Sequence, residues 1–247
     1  MMALQADPAD QALLLDLQAL DTKLQQLGHR VSTLPESSAL AALMTERETA
    51  QRTVAEQTGQ WEDAQAELKR TESDVAVVDA RIARDSERLQ ASSSVKDVAA
   101  LEQELAALAK RKSYLEDIEL AVMETNDERE RALADSRGAL ADLDDRIAEA
   151  TTARDAALGS VDGERTQAET DRAAIAARVP EDLLALYEKQ RARYGVGASM
   201  LQGGVSLASG VALNSSDMAV VRAASAYDVL LCPDSNAVLV RTGESGL

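Results

Sequence analysis

The sequence has one histidine, His29, and one cysteine, Cys232. A thiolate–imidazole pair, or a serine activated by histidine, needs His29 carried to the far end of the chain, and no motif places it there. Gly195-Val196-Gly197 lacks the third glycine of a dinucleotide loop, and no Gly-rich phosphate cradle followed by Lys occurs. The 43 Asp and Glu residues form many acid pairs. They fall on helix faces with the spacing of a solvated exterior, where nothing lifts a carboxylate into the general-acid range. Lys110-Arg111-Lys112 is the densest basic run, and three cations on an acidic background read as a solvated face. These residue types point to a non-enzymatic protein.

Composition narrows the class further. Among 247 residues there is no Phe, aromatic content is 2% and charged content 28%. Long helices rather than one large globular core follow from that mixture. The net charge is −17, most of it before Pro180, and such a surface repels nucleic-acid phosphates. No apolar run has the length of a membrane span. The acidic start, Met1-Met2-Ala3-Leu4-Gln5-Ala6-Asp7-Pro8, lacks the apolar stretch of a secretory leader. A lone cysteine excludes an internal disulfide framework. The expectation is a cytoplasmic chain with no membrane contact; the sequence sets no oligomeric state.

The elements that position these residues can be read from periodicity. Alternating steps of three and four from Trp61 meet Ala64, Leu68, Thr71, Val75, Val78, Ile82, Asp85 and Leu89. The same steps from Leu101 run through Leu105, Leu108, Lys112, Leu115, Glu119, Val122, Asn126, Arg129 and Leu133, and on to Val161. This 3.5-residue repeat is a coiled-coil seam. Ser92-Ser93-Ser94 is the reversal point: Ser94 can cap the returning helix and Asp97 favours its positive end. A reversal there sets Leu89 beside Val98, Ile82 near Leu105, Val54 near Leu133 and Trp61 close to Asn126. The fold class is therefore mainly α, a long antiparallel coiled-coil helical hairpin over 1–179, with its tip near 92–96. A kink is expected near 33–36, where Thr33 and Glu36 have capping-box spacing and Pro35 suits a first helical position.

Val179-Pro180 ends the returning arm. A short connecting helix over 180–195 follows, closed by Gly195. From 196 to 247 the pattern changes to Gly, Ser and Val. Met200-Leu201, Val229-Leu230-Leu231 and Ala237–Val240 read as strands, and Asn214-Ser215-Ser216-Asp217 as the start of a short helix. A β-rich module of about 50 residues is small for independent stability. Its burial is expected at Val205, Leu207, Val211, Leu213, Leu230 and Leu231, with Tyr187 and Tyr194 of the connecting helix covering it.

This order of parts resembles the bacterial C4-type zinc-ribbon proteins with a long N-terminal helical hairpin. The tip Ser94-Val95-Lys96-Asp97 is similar to a Ser-Pro-Lys-Asp tip common there, with Val95 where Pro is usual. Leu183–Lys189 resembles the family's post-hairpin helix, Leu213–Arg222 its ribbon-insert helix, and Leu239–Thr242 its last strand. The resemblance implies a Cys-x-x-Cys pair on each of two knuckles, which alignment sets at Ser206 and Ser209 and at Cys232 and Ser235. Three of these four positions carry Ser, and neutral hydroxyls are poor zinc ligands. Zinc, the family's expected cofactor, is therefore expected to be absent, leaving a degenerate ribbon. The function that follows is a scaffold or adaptor for protein partners. The alternative that the resemblance implies is nucleic-acid binding through the ribbon, which has only Arg222 and Arg241 after Val196 and, of aromatics, only Tyr227.

Overall fold

The structure, a computed structural model, describes residues 4–247. Four helices come first: α1 (Pro8–Ser32), α2 (Pro35–Ala91), α3 (Val95–Ala176) and α4 (Glu181–Tyr194). Four short strands follow, β1 (Ala198–Gln202), β2 (Val205–Ser206), β3 (Val211–Ala212) and β4 (Val238–Arg241), with helix α5 (Ser215–Ala223) between β3 and β4. The result is a long helical hairpin with a small C-terminal mixed sheet. Two compact units divide the chain. One spans residues 36–152, and the other joins residues up to 35 with 153–247.

In the unit of residues 36–152, the seam lies where the 3.5-residue repeat sets it. Leu40, Ala64, Thr71 and Asp85 of α2 are buried, as are Leu101, Leu115, Asn126 and Leu133 of α3. The remaining stepped positions within this unit are half-buried, apart from exposed Arg129. Polar side chains bind the arms outside the apolar line. Arg47 Nε lies 2.5 Å from Asp144 Oδ1, Lys112 Nζ 2.6 Å from Asp79 Oδ1, and Arg129 Nη1 donates to Gln60 Oε1 at 2.8 Å. Arg81 also pairs with Glu104. At the tip, Asp97 N donates to Ser94 Oγ at 3.4 Å and Val98 N to the Ser94 carbonyl at 2.9 Å. The serine cap therefore starts α3, as its position required.

The other unit is built on α1. Asp7 caps it, accepting from Ala9 N at 2.9 Å, with Pro8 in the first turn. Leu14 and Leu17 form one core with Val179, Leu183, Tyr187, Ala198, Val238 and Val240. The sheet order is β3-β2-β1-β4; β1 runs parallel to β4, Ala198 facing Val238 and Leu201 facing Arg241, and antiparallel to β2. A second cluster, Leu201, Leu213, Val221, Cys232 and Leu239, fills the space beneath α5. Asn214 caps α5 through Asp217 N at 2.9 Å. Gly195, in the left-handed region at φ 83°, ends α4.

Several sequence expectations need correction. Thr33 does not form a capping box with Glu36: its hydroxyl donates back to the His29 carbonyl at 2.9 Å and closes α1 instead. Val229-Leu230-Leu231 is not a strand. Val229 N donates to the Leu4 carbonyl at 2.9 Å, while Leu230 accepts from Leu239 N at 2.8 Å and Leu231 bridges Val238. The segment is shared between two partners, so no ladder propagates. Leu207, Val211 and Leu231 are exposed rather than buried, and so is Tyr194; of that expected set Leu213 is buried and Leu230 partly so. The core beneath the sheet is smaller than the apolar residues suggested, and α1 supplies what they do not.

Candidate functional site

The C-terminal module gathers three of the four positions that the resemblance singled out. Cys232 and Ser206 are fully buried. The hydroxyls of Ser206 and Ser235 and the backbone N–H groups of Asp234 and Ser235 lie against the Cys232 thiol. Burial pushes the thiol pKa up, but these donors outweigh burial and hold it below the ordinary value. Ser206 Oγ also sits 3.2 Å from Ser199 Oγ, which accepts from Ala208 N at 2.7 Å. The fourth position, Ser209, is engaged in its own turn, where its hydroxyl accepts from Val211 N at 3.3 Å. One thiol and two neutral hydroxyls do not fit a structural zinc ion, which takes four Cys, His or carboxylate ligands. Among the described residues, no three His, Cys, Asp or Glu side chains gather where they could hold a metal. The chemistry here is that of a satisfied core.

At the hairpin tip, Ser94, Val95, Lys96 and Asp97 are all exposed, and Val95 presents an apolar side chain at 86% exposure. The tip has no polar group that its own turn leaves buried.

A further set of functional groups was not anticipated from the sequence. Asp21 of α1 is buried. Arg172 of α3 grips it with two bonds, Nε to Oδ1 at 2.7 Å and Nη2 to Oδ2 at 3.1 Å. Tyr187 Oη donates to Asp21 Oδ2 at 2.6 Å, and Arg191 Nε lies 3.5 Å from the same oxygen. Glu188 closes the network, 2.5 Å from Arg172 Nη2 and 2.8 Å from Arg191 Nη2. Burial alone would raise the Asp21 pKa; the Arg172 and Tyr187 hydrogen bonds win and hold it below the ordinary value. Glu188 is lowered in the same way, burial being outweighed by both arginines. Burial and the Asp21 bond push the Tyr187 hydroxyl well up. Gln18 extends the network to the sheet, its Oε1 accepting from Gly197 N at 2.7 Å. Gly197 is required there, since a Cβ would come within 2.4 Å of the Tyr187 ring. The network latches α1, α3, α4 and β1 together. The sequence carried one trace of it: Asp21 follows Leu14 and Leu17 on the apolar face of α1, where an acid must find a partner.

Beside this latch runs an open groove of about 770 Å³ between α1 and α3. Leu24, Leu27 and Val31 form one wall, Leu158 and Val161 the other. Gly28 and Gly159 also line it, and nothing lies within 4 Å of where their Cβ atoms would be.

A long helical hairpin joined to a small mixed sheet defines a coiled-coil hairpin protein. The chain belongs to the CT398-like coiled coil hairpin domain family, whose model matches residues 17–195. It is 33% identical over 239 residues to an uncharacterized protein of Mycobacterium tuberculosis, matched in two strains, across 96% of this chain and 98% of that one. A solved structure from Mycobacterium smegmatis is similar at a TM-score of 0.85 and 33% identity, covering 96% of this chain and all of that one. The structure of CT398 from Chlamydia trachomatis shares the fold at a TM-score of 0.65 and 17% identity, over 95% and 98% of the two chains. The family match supports the hairpin half of the resemblance drawn from sequence. It stops at residue 195, before β1, so the zinc-ribbon half receives no support from it. Among the described residues, no helix is long and apolar enough to cross a membrane.

Proposed function

We propose that this chain is a non-enzymatic adaptor, acting in the cytoplasm, that binds protein partners through its helical hairpin and its C-terminal module. The observation that carries the reading is the α1–α3 groove: apolar walls, two glycine notches and room for the side chains of a partner helix. Val31 on its wall is 45% exposed, an apolar group that a partner would cover. The cations at its rim are already engaged, Arg165 with Glu169 at 2.8 Å and Arg191 with Glu188. An amphipathic helix with a basic flank is the occupant that complements a chain of net charge −17. The C-terminal module, on this reading, is a ribbon kept for its surface without zinc.

Nucleic-acid binding is disfavoured by where the basic groups point. Arg241 is consumed by the carbonyls of Ala224, Ser225, Ala226 and Asp228, at 2.7–3.2 Å. Lys112 of the basic run is paired with Asp79 and Glu116, and Arg111 lies over the Tyr114 ring at 5.5 Å. The test is site-specific photocrosslinking in the native host, with the probe at Val31 or Leu158 and a control at exposed Val77. Discrete protein adducts at the groove, lost when Gly28→Leu and Gly159→Leu fill it, are expected. Retention of the same adducts in the filled variants, or binding of mixed RNA and DNA at low salt, would overturn the proposal.

A further inference from the structure

The seam of the 36–152 unit has a layer where a neutral donor and a neutral acceptor are both left without partners. Asn126 is 9% exposed, and its Oδ1 accepts no hydrogen bond. The Trp61 indole N–H, in the facing part of α2, is also buried and donates to nothing. Other polar seam residues have charged or backbone partners. Asp85 Oδ1 meets Arg88 Nη1 at 3.2 Å, and its Oδ2, which accepts no hydrogen bond, has the Arg81 charge at 3.7 Å; Lys112 meets Asp79, and the Thr71 hydroxyl donates to the Glu67 carbonyl at 3.1 Å. A buried donor and a buried acceptor left unpaired penalise the closed state, because water would satisfy both. Gly59, two residues before Trp61, has nothing within 4 Å of its Cβ position and adds backbone freedom beside the layer.

The surroundings favour local parting over wholesale separation. Leu115 and Leu133 of α3 and Ala64 of α2 are buried on either side and keep their packing. Two cross-arm bonds hold the arms on the side of the layer away from the tip: Ser136 Oγ donates to Gln57 Oε1 at 2.5 Å and Arg129 Nη1 to Gln60 Oε1 at 2.8 Å. These fix the register to which the arms return.

We propose that the Trp61–Asn126 layer is a built-in opening point of the hairpin, where α2 and α3 part first and water reaches the indole N–H and the amide oxygen while the flanking layers stay closed. The device follows from a buried donor and a buried acceptor set into an apolar seam, neither of which makes a hydrogen bond.

Trp61 is the only tryptophan, so its fluorescence reports this layer alone. The experiment combines hydrogen exchange along both arms with acrylamide quenching of Trp61, in the full chain and in Asn126→Leu. Amides at 58–64 and 123–129 should exchange at least about tenfold faster than those around Leu115 and Leu140. Quenching should persist at urea concentrations where helical circular dichroism is complete. Asn126→Leu should slow local exchange about tenfold and reduce quenching at least about twofold, because a leucine asks for no water. Should that variant fail to fold, Asn126→Ser, which keeps a polar group and leaves a space for water, should instead speed exchange at the layer. Exchange at the layer no faster than at its flanks would overturn the proposal, and so would an Asn126→Leu variant that folds and opens as readily as the parent.

Discussion

Replacing Asp21 by Ala should unlatch α1 from α3, α4 and the sheet. Removing one member of a buried, hydrogen-bonded charge pair costs about 3–5 kcal/mol, because the partner is left charged and unpaired. Here the remaining groups keep some compensation. Arg172 retains Glu188 at 2.5 Å and its side chain is 21% exposed, and Tyr187 Oη has Gln18 Oε1 at 3.4 Å. The expectation is therefore at or below the low end, about 2–3 kcal/mol. With a urea dependence of about 2 kcal/mol per molar, the midpoint should fall by about 1 M. Two compact units need separate reporters, so hydrogen exchange at β1 and α4 should accompany the urea titration and show the loss there. Asp21→Asn, which keeps the shape and one acceptor, should lose less. The pH dependence has a fixed sign. The folded pKa of Asp21 is depressed below 3.8, so its contribution is complete above that value and disappears as pH falls through the folded pKa. The difference between parent and Asp21→Asn should be flat near neutrality and shrink below about pH 4. A loss under about 0.5 kcal/mol for Asp21→Ala, the range of an ordinary surface substitution, would refute the latch.

Gly197→Ala should destabilise by about 1–3 kcal/mol through overlap with the Tyr187 ring, and Tyr187→Leu should relieve part of that loss in a double variant, as read by thermal unfolding. Adding a chelator to purified protein should leave secondary structure unchanged, and metal analysis should find less than one zinc per chain; stoichiometric zinc would overturn the degenerate-ribbon reading. Asn214→Ala should cost about 1 kcal/mol by removing the cap of α5, measured by chemical denaturation. An isolated 196–247 fragment should give a poorly dispersed NMR spectrum, because Ala198, Val238 and Val240 bury their side chains against Leu14, Leu17 and Tyr187, which the fragment lacks.

What the sequence disclosed and what it withheld divide along the separation of contacts. The seam was legible because a helix repeats its environment every few residues. Steps from Trp61 and Leu101 pick out the half-buried line with Arg129 as the exposed position, and that arginine uses its exposure to reach Gln60. The tip was legible because Ser94 and Asp97 act within one turn. The latch was not, since Asp21, Arg172 and Tyr187 come from three helices and only folding brings them within 3 Å. The strand expected at Val229–Leu231 failed for the same reason. Residues 4–6 reach across to it: Ala6 N donates to the Tyr227 carbonyl at 2.8 Å, and Gln5 bridges Asp228.

These non-local contacts also hold the small sheet together where the side chains present do not fit the metal that the resemblance implied. A ribbon with four thiolates draws its folding energy from the ion at its knuckles. Here Cys232 has become a core residue beside Leu201 and Leu239, its thiol facing hydroxyls and N–H groups rather than other thiolates. The load passes to the opposite face of the sheet. There Gln18 binds the backbone of β1, Tyr187 packs against Gly197, and Asp21 with Arg172 holds α1 and α3 beneath them. A module held in this way is fixed to the hairpin side chain by side chain. Anything that binds the α1–α3 groove, with Asp21 and Arg191 on its lining, therefore touches the same groups that keep the sheet in place, and the two should respond to each other.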